Sequence, residues 1–398
     1  KVTDSDASGN ARLAFVRYDL RMNERERFLE TMLFGNPDRV PLNPGNGRES
    51  TRQAWYAQGL PPEVPADEIP RYAFDQIGSP FPWPEGGPGF PVNERMIPQF
   101  EEKVIEVRET TQIVQDWKGN ICEIGREFTT EYLRNAIDFV TRRWIKCPVE
   151  SWDDWEAMKE RYDADDPTRL PPEPATLGAE LEDRTWPIRM HFSGPFWQMR
   201  EWLGFEELCV LFYDDPEMIR DMVRFWSDHI ARLMENAFAY CVPDEVHLSE
   251  DMAYKAFSMI SPEMAREFLL PAWRAWGEVV RSRSVPVYAM DSDGFIGELI
   301  PIWMEAGINA CDPIEVAAHN DIVAFRERFG TRMAFQGGVD KRKMAAGGEA
   351  LEEELLRIKP VVDSGGYIPC CDHGIPSDVS WSNYLQYVEG LARLTGWL

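Results

Sequence analysis

A chain of 398 residues is long enough for one large α/β barrel or two average domains. Its 42 Lys and Arg against 68 Asp and Glu leave a formal charge of −26, a field that repels nucleic-acid phosphates and anionic lipid. Apolar residues at 44% and charged residues at 28% are ordinary for a globular protein, and no run nears the roughly 18–20 apolar residues of a membrane helix, so neither nucleic acid nor membrane is an expected partner. The seven cysteines form no C-x-x-C pair, which fits a reducing cytoplasm better than a disulfide framework.

Residues 1–22 carry few packing signals and read as an N-terminal arm ahead of a single domain over 23–398. Asn23, with Glu26 three residues on, predicts a capped helix through Leu33, and RVPLNPG (39–45) reads as a first strand. Residues 60–150 form an excursion: a Pro- and Gly-rich stretch to residue 100, too long for a plain connection, then β-like alternation from Lys103 to Val149. That alternation predicts an inserted antiparallel ribbon turning at Lys118-Gly119-Asn120, of the kind that serves as a lid or as a contact in a homo-oligomer. Ser151 caps a further helix, SWDDWEAMKERY.

From residue 187 the rhythm is regular. Strand-like runs at 187–193, 245–251, 285–293, 310–315, 333–340 and 366–373 alternate with helical stretches, which predicts a parallel sheet. With RVPLNPG and one more strand in the irregular half, the count suits a (β/α)8 TIM barrel; a doubly wound open sheet is the alternative. Neither G-x-G-x-x-G nor G-x-x-x-x-G-K-[ST] occurs, so dinucleotide and nucleoside-triphosphate binding lack support.

Several runs end in residues that a barrel interior rejects. VPVYAMDSDG (285–294) closes on Asp291 and Asp293, which share one side if the strand continues, or make an Asx turn before Gly294 if it does not. His247, Glu250 and Asp251 end another run, Asp312 and Glu315 the next, then Gln336 and Asp340, then Cys371, Asp372 and His373. Singly each reads as a cap or rim ion pair; in five successive strands they surround one mouth. Two chemistries fit. Asp291, Asp293 and His373, with Cys371 or Glu250 as a further ligand, offer oxygen and nitrogen donors for Zn²⁺, Fe²⁺ or Mn²⁺. Alternatively Asp291 or Asp293 is a general acid or base in a pocket walled by Trp197, Phe196, Tyr254 and nearby methionines, with Glu250 and Asp251 as further candidates. His247, Gln336 and Asp340 then join the candidate substrate contacts.

These residues resemble the uroporphyrinogen decarboxylase superfamily, which includes cobalamin-linked methyltransferases. The resemblance is carried by NERERFLETMLFGNPDRVPL (23–42), GPFWQMREWLGFEEL (194–208), HLSEDMAYKAFSMISPEMAREFLLPAW (247–273), VPVYAMDSDG, EAGINACDPIE (305–315), MAFQGGVD and GGYIPCCDHGIPSDVSWSNYLQYVE (365–389). It implies a (β/α)8 barrel. The decarboxylases' P-V-W-x-M-R-Q-A-G-R-Y motif, whose arginines hold tetrapyrrole carboxylates, is replaced by VPLNPGNGRESTRQAWY (40–56), with Arg48 and Arg52 remaining. The methyltransferases' zinc ligands, in H-x-C-G and G-C-G-I-P, fall at Asp291, Asp293 and His373, so all three ligand types differ here. The expectation that follows is a methyltransferase moving a methyl group between a small substrate and a corrinoid on a partner protein, since no cobalamin-binding D-x-H-x-x-G occurs in this chain. A decarboxylase holding a carboxylate on Arg48, Arg52 and Arg189 is the alternative, and a non-catalytic binding protein the third reading.

Overall fold

The second half of the chain winds strand, helix, strand in one sense, and its strands pair with the strand that follows. In the computed structural model, which describes residues 22–135, 138 and 140–398, two sheets are present. All but the last residue of the expected N-terminal arm lies outside the described residues. The first sheet is the expected ribbon: β1 (Lys103–Val107), β2 (Thr111–Gln115), β3 (Ile121–Gly125) and β4 (Arg143–Lys146), antiparallel throughout, turning at Gly119 with φ +90°. Its outer strands present Val104, Ile105, Val107, Trp144 and Ile145 to solvent.

The second sheet has six parallel strands in unbroken chain order: β5 (Arg189–Ser193), β6 (Glu245–Ser249), β7 (Val287–Asp291), β8 (Ala310–Asp312), β9 (Ala334–Val339) and β10 (Tyr367–Cys371). Sequential order without reversal is the wall of a TIM-type barrel, not of a doubly wound sheet. Helices such as Pro216–Phe238, Leu270–Ser282 and Gly348–Asp363 pack outside it. RVPLNPG is not a ladder strand. Pro41 and Pro44 lack the N–H groups a ladder needs, and the nearest pairing is a single parallel bridge two residues later, Gly47 to Ile375, beyond the end of the last strand.

The helix Glu24–Met32 has the expected capping box: Asn23 and Glu26 exchange side-chain and backbone hydrogen bonds. Its Phe28 and Met32 pack on Val287, Ala289, Ala310, Ala334 and Ile368, which face into the barrel. The Gly366 N–H donates to Thr31 O and the Arg25 N–H to Thr185 O, both just before strands, so this helix plugs the amino-terminal end. The opposite end, where the strands finish, is the open mouth. Among the described residues no helix is long and apolar enough to cross a membrane.

Candidate active site

Register decides which side chains share the interior. Arg189, His191 and Ser193 of β5 lie opposite Glu245, His247 and Ser249 of β6; Ser249 lies opposite Asp291, and Asp291 opposite Asp312. Met190, Phe192, Val246 and Leu248 point outward into the helical layer and are buried there. The inner set is polar, and its members find one another. His191 Nε2 is 2.9 Å from Ser249 Oγ, and the Ser249 hydroxyl donates to Asp291 Oδ2 at 2.5 Å. His247 Nε2 donates to Asp312 Oδ1 at 2.9 Å, across the width of β7. Deeper, Arg189 donates to Glu245 Oε2 (2.9 Å) and Gln336 Oε1 (3.3 Å).

This geometry drives two adjacent carboxyls apart. Burial, then the neighbouring Asp312 charge, pushes Asp291 up to about 7, against the opposing pull of His247 and Ser249. Asp312 is also buried, but the His247 hydrogen bond and charge, with Arg189, hold it below the ordinary range. His247 is correspondingly raised, its desolvation outweighed by Asp312. His191, desolvated and beside His247 and Arg189, drops to about 4 and is a neutral ring at physiological pH. Because the one Ser249 hydroxyl proton goes to Asp291, the neutral His191 donates from Nε2–H to Ser249 Oγ, and a relay runs His191, Ser249, Asp291. Two titratable groups with split affinities, one protonated near neutrality and one ionised, are the makings of an acid at Asp291.

At the rim Asp293 leaves its neighbour. β7 ends at Asp291, the alternation stops there, and Asp293 instead accepts from His373 Nε2–H at 3.1 Å. His373 Nδ1 accepts from the Gly374 N–H (2.7 Å) and faces the Arg48 guanidinium, which fixes the Nε2–H tautomer. The hydrogen bond to Asp293 raises His373, with desolvation and the Arg48 charge opposing. Asp251, at φ +42°, receives the Asp293 N–H and is raised by burial and by the Asp293 charge. Lys341 pairs with Glu315 at 3.0 Å nearby. The fold places His247, Asp251, Asp291, Asp293, Gln336, His373 and Arg48 at the mouth and in the interior.

Other expected site residues serve the fold. Glu250 turns away from the mouth: its carboxyl accepts from the Phe196 and Trp197 N–H groups, which open the helix Pro195–Leu203, and from Trp273 Nε1 at 2.6 Å. It is fully buried, and burial pushes it up to about 8 in spite of those three donors. Glu250→Ala orphans all three and should cost about 3 kcal/mol in urea unfolding while sparing substrate binding; unchanged stability would contradict this capping role. Asp340 caps the helix Lys341–Ala346 and pairs with Arg342 at 2.8 Å. Arg52 is committed to Gly47 O and Glu49. Trp197, by contrast, lies under the Arg200 guanidinium, 4.3 Å from its ring centre, with its free surface on the cavity beside His191, and Tyr254 is an exposed loop residue. Ser261 and Ser380, each directly before a helix, are its caps.

A metal centre of the expected kind needs three ligands converging on one point. Among the described residues no three His, Cys, Asp or Glu side chains are placed to hold an ion. Asp291 is spent on Ser249 and Asp293 on His373, while burial raises the Cys371 thiol far above its usual range, away from the thiolate that ligates metals. The residues present do not fit the expected three-ligand centre. Three participants were missed: His191, Ser249 and Glu94. The first was legible in RMHFS, where Arg189, His191 and Ser193 alternate with apolar Met190 and Phe192. Glu94, from the irregular excursion, accepts from Ser193 N–H (2.8 Å) and Ser193 Oγ–H (2.6 Å), and burial raises its carboxyl. It lines a cavity of about 260 Å³ with His191, Trp117 and Trp197, so two segments of the excursion reach His191.

Known proteins share this architecture. Curated uroporphyrinogen decarboxylases match short stretches: that of Klebsiella pneumoniae is 31% identical over 114 residues, 28% of this chain and 31% of that protein. That of Erwinia tasmaniensis is 24% identical over 178 residues, 39% of this chain and 50% of that protein. The chain thus spans about a third to a half of the length of the curated relatives it matches. A methyltransferase from Methanosarcina mazei has the same fold over 94% of this chain and 99% of its own, with a TM-score of 0.56 and 15% identity. The family model described as uroporphyrinogen decarboxylase (URO-D) matches residues 136–393, well over half of the chain and all six strands of the barrel wall, and the chain belongs to that family.

Proposed function

We propose that this barrel moves a methyl group from a small donor to a corrinoid carried by a separate protein, with Asp291 as the acid at the leaving atom. The observation that carries the reading is the split pair: Asp291 keeps its proton to about pH 7 while Asp312, one strand away, stays ionised on His247. As the methyl–oxygen or methyl–nitrogen bond breaks, the methyl departs without the bonding electrons. The pair stays on the leaving atom, which takes the Asp291 proton; the corrinoid supplies the nucleophile that accepts the methyl. The His191–Ser249 relay holds the Asp291 carboxyl in place. Methyl transfer is also what the full-length structural neighbour is named for.

Decarboxylation of a small acid is the second reading, favoured by Arg48 at the rim and by the relatives' name. A many-charged tetrapyrrole suits the mouth poorly, because Arg189 is already paired with Glu245 and Lys341 with Glu315 amid Asp251, Asp291, Asp293 and Asp312. The test offers reduced cobalamin as surrogate acceptor and a panel of methoxy and N-methyl compounds, following the cobalt absorbance. Protein-dependent methylation with at least one donor is expected. No methylation from any donor, alongside CO₂ release from small acids, would replace this reading with the second.

A further inference from the structure

We infer that the hollow beneath Asp291 is a binding chamber for an uncharged polar head on the substrate, a hydroxyl or primary amide in place of a carboxylate. This deepens the methyl-donor reading and rests on it for the idea that a substrate sits beside Asp291. Three buried polar atoms there have no partner: Glu245 Oε1, His247 Nδ1 and Gln336 Nε2. Their residues are 2%, 5% and 7% exposed, so bulk solvent does not serve them. Each has spent its other end on a neighbour: Glu245 Oε2 on Arg189, Gln336 Oε1 on Arg189, and His247 Nε2 on Asp312. The Arg189 side chain, hydrogen-bonded to two of these residues, keeps 41% of its surface accessible, so the room for an occupant lies against its guanidinium.

Buried donors and acceptors are normally satisfied, and leaving them bare is costly. Something polar therefore belongs here. Charge selects what kind. Arg189 is matched by Glu245 and His247 by Asp312, so the chamber holds no spare cation for an incoming carboxylate. The free needs are mixed: Glu245 Oε1 takes a donor and Gln336 Nε2 takes an acceptor, and a hydroxyl or amide supplies both. A carboxylate supplies acceptors only and would face Glu245 and Asp312; an alkyl end supplies neither. Ordered water is the competing occupant.

The experiment uses the full chain without corrinoid and three methoxy probes of matched length: 3-methoxypropan-1-ol, 3-methoxypropanoate and 1-methoxybutane. Affinities are ranked by calorimetry or saturation-transfer NMR. The alcohol is expected to bind at least tenfold more tightly than the other two, and Gln336→Leu to erase that preference. Gln336→Met, closer in shape, repeats the measurement if the leucine variant fails to fold. Equal binding of the three probes, tighter binding of the propanoate, no binding at all, or a preference untouched in either folded variant each overturns the chamber. Because no methyl acceptor is present, a failure of methyl transfer leaves this ranking intact, and a carboxylate-first ranking removes the chamber without touching the methyl-transfer assay.

Discussion

Asp291→Asn should lower turnover by about two to four orders of magnitude, the range lost when a positioned general acid is removed, with the barrel still folded. Asparagine keeps the shape and can still accept from the Ser249 hydroxyl, but it has no proton to give. The parent's rate should be high at low pH and fall as pH rises through about 7, because only protonated Asp291 is active and burial with the Asp312 charge sets its affinity there. Folding stability follows the same sign. Asp291 binds its proton more tightly folded than unfolded, so the stability tied to it is complete below the ordinary carboxylate range and declines as pH climbs toward about 7. Asp291→Asn removes that decline. Asp312→Asn supplies an independent check: the Asp312 repulsion outweighs the His247 attraction at Asp291, so deleting it should move the falling limb of the rate profile to lower pH. A profile that keeps its limb near 7 in Asp291→Asn, or a variant retaining more than about a tenth of the parental rate, would take Asp291 out of the chemistry.

The barrel wall was open to reading because its strands are short apolar runs with polar ends, and both period and punctuation survive in one dimension. The capped helices were equally plain: Asn23, Ser151, Ser261 and Ser380 all accept from the expected backbone N–H groups. What the chain does after a strand ends was hidden. Period-two logic put Asp291 and Asp293 on one object, yet β7 stops at Asp291, and the two carboxylates go to Ser249 and His373. Glu250 follows Ser249 by one residue, but its partners are Phe196, Trp197 and Trp273, set by tertiary packing that no local pattern records. Asp340 had a plainer local reading. It stands directly before the helix KRKMAA, the position of a cap, and that local signal outweighs its place at a strand's end. His191 was missed for the opposite reason: PIRMHFS looked like an ordinary strand, although its polar residues fall on the odd positions that face inward.

The largest stability effect is expected far from the mouth, at Asp244, where one carboxylate ties three segments at the plugged end. It accepts from Arg25 Nε at 2.7 Å, from Arg184 Nε and Nη2 at 3.1 and 2.9 Å, and from the Ile188 N–H at 2.9 Å. Arg25 belongs to the plug helix, Ile188 leads into β5, and Asp244 itself leads into β6, so the carboxylate ties together the entries to the first two strands of the ladder. Arg184 is 6% exposed and Asp244 2%, which makes theirs a buried pair. Removing one partner of such a pair leaves an uncompensated charge at a cost of about 3–5 kcal/mol, and this is the expected loss for Asp244→Ala in urea unfolding. Arg25→Ala takes away only the partly exposed limb of the same network and should cost no more than about 1 kcal/mol. The contrast between the two variants matters more than either value. Arg184 also donates to Leu181 O and Val242 O, at 3.1 and 2.9 Å, and these carbonyls are the fallback if the carboxylate is dispensable. Asp244→Ala costing no more than Arg25→Ala would mean that those two carbonyls alone hold the guanidinium, and that the ladder is aligned by its own backbone hydrogen bonds instead of by this clasp.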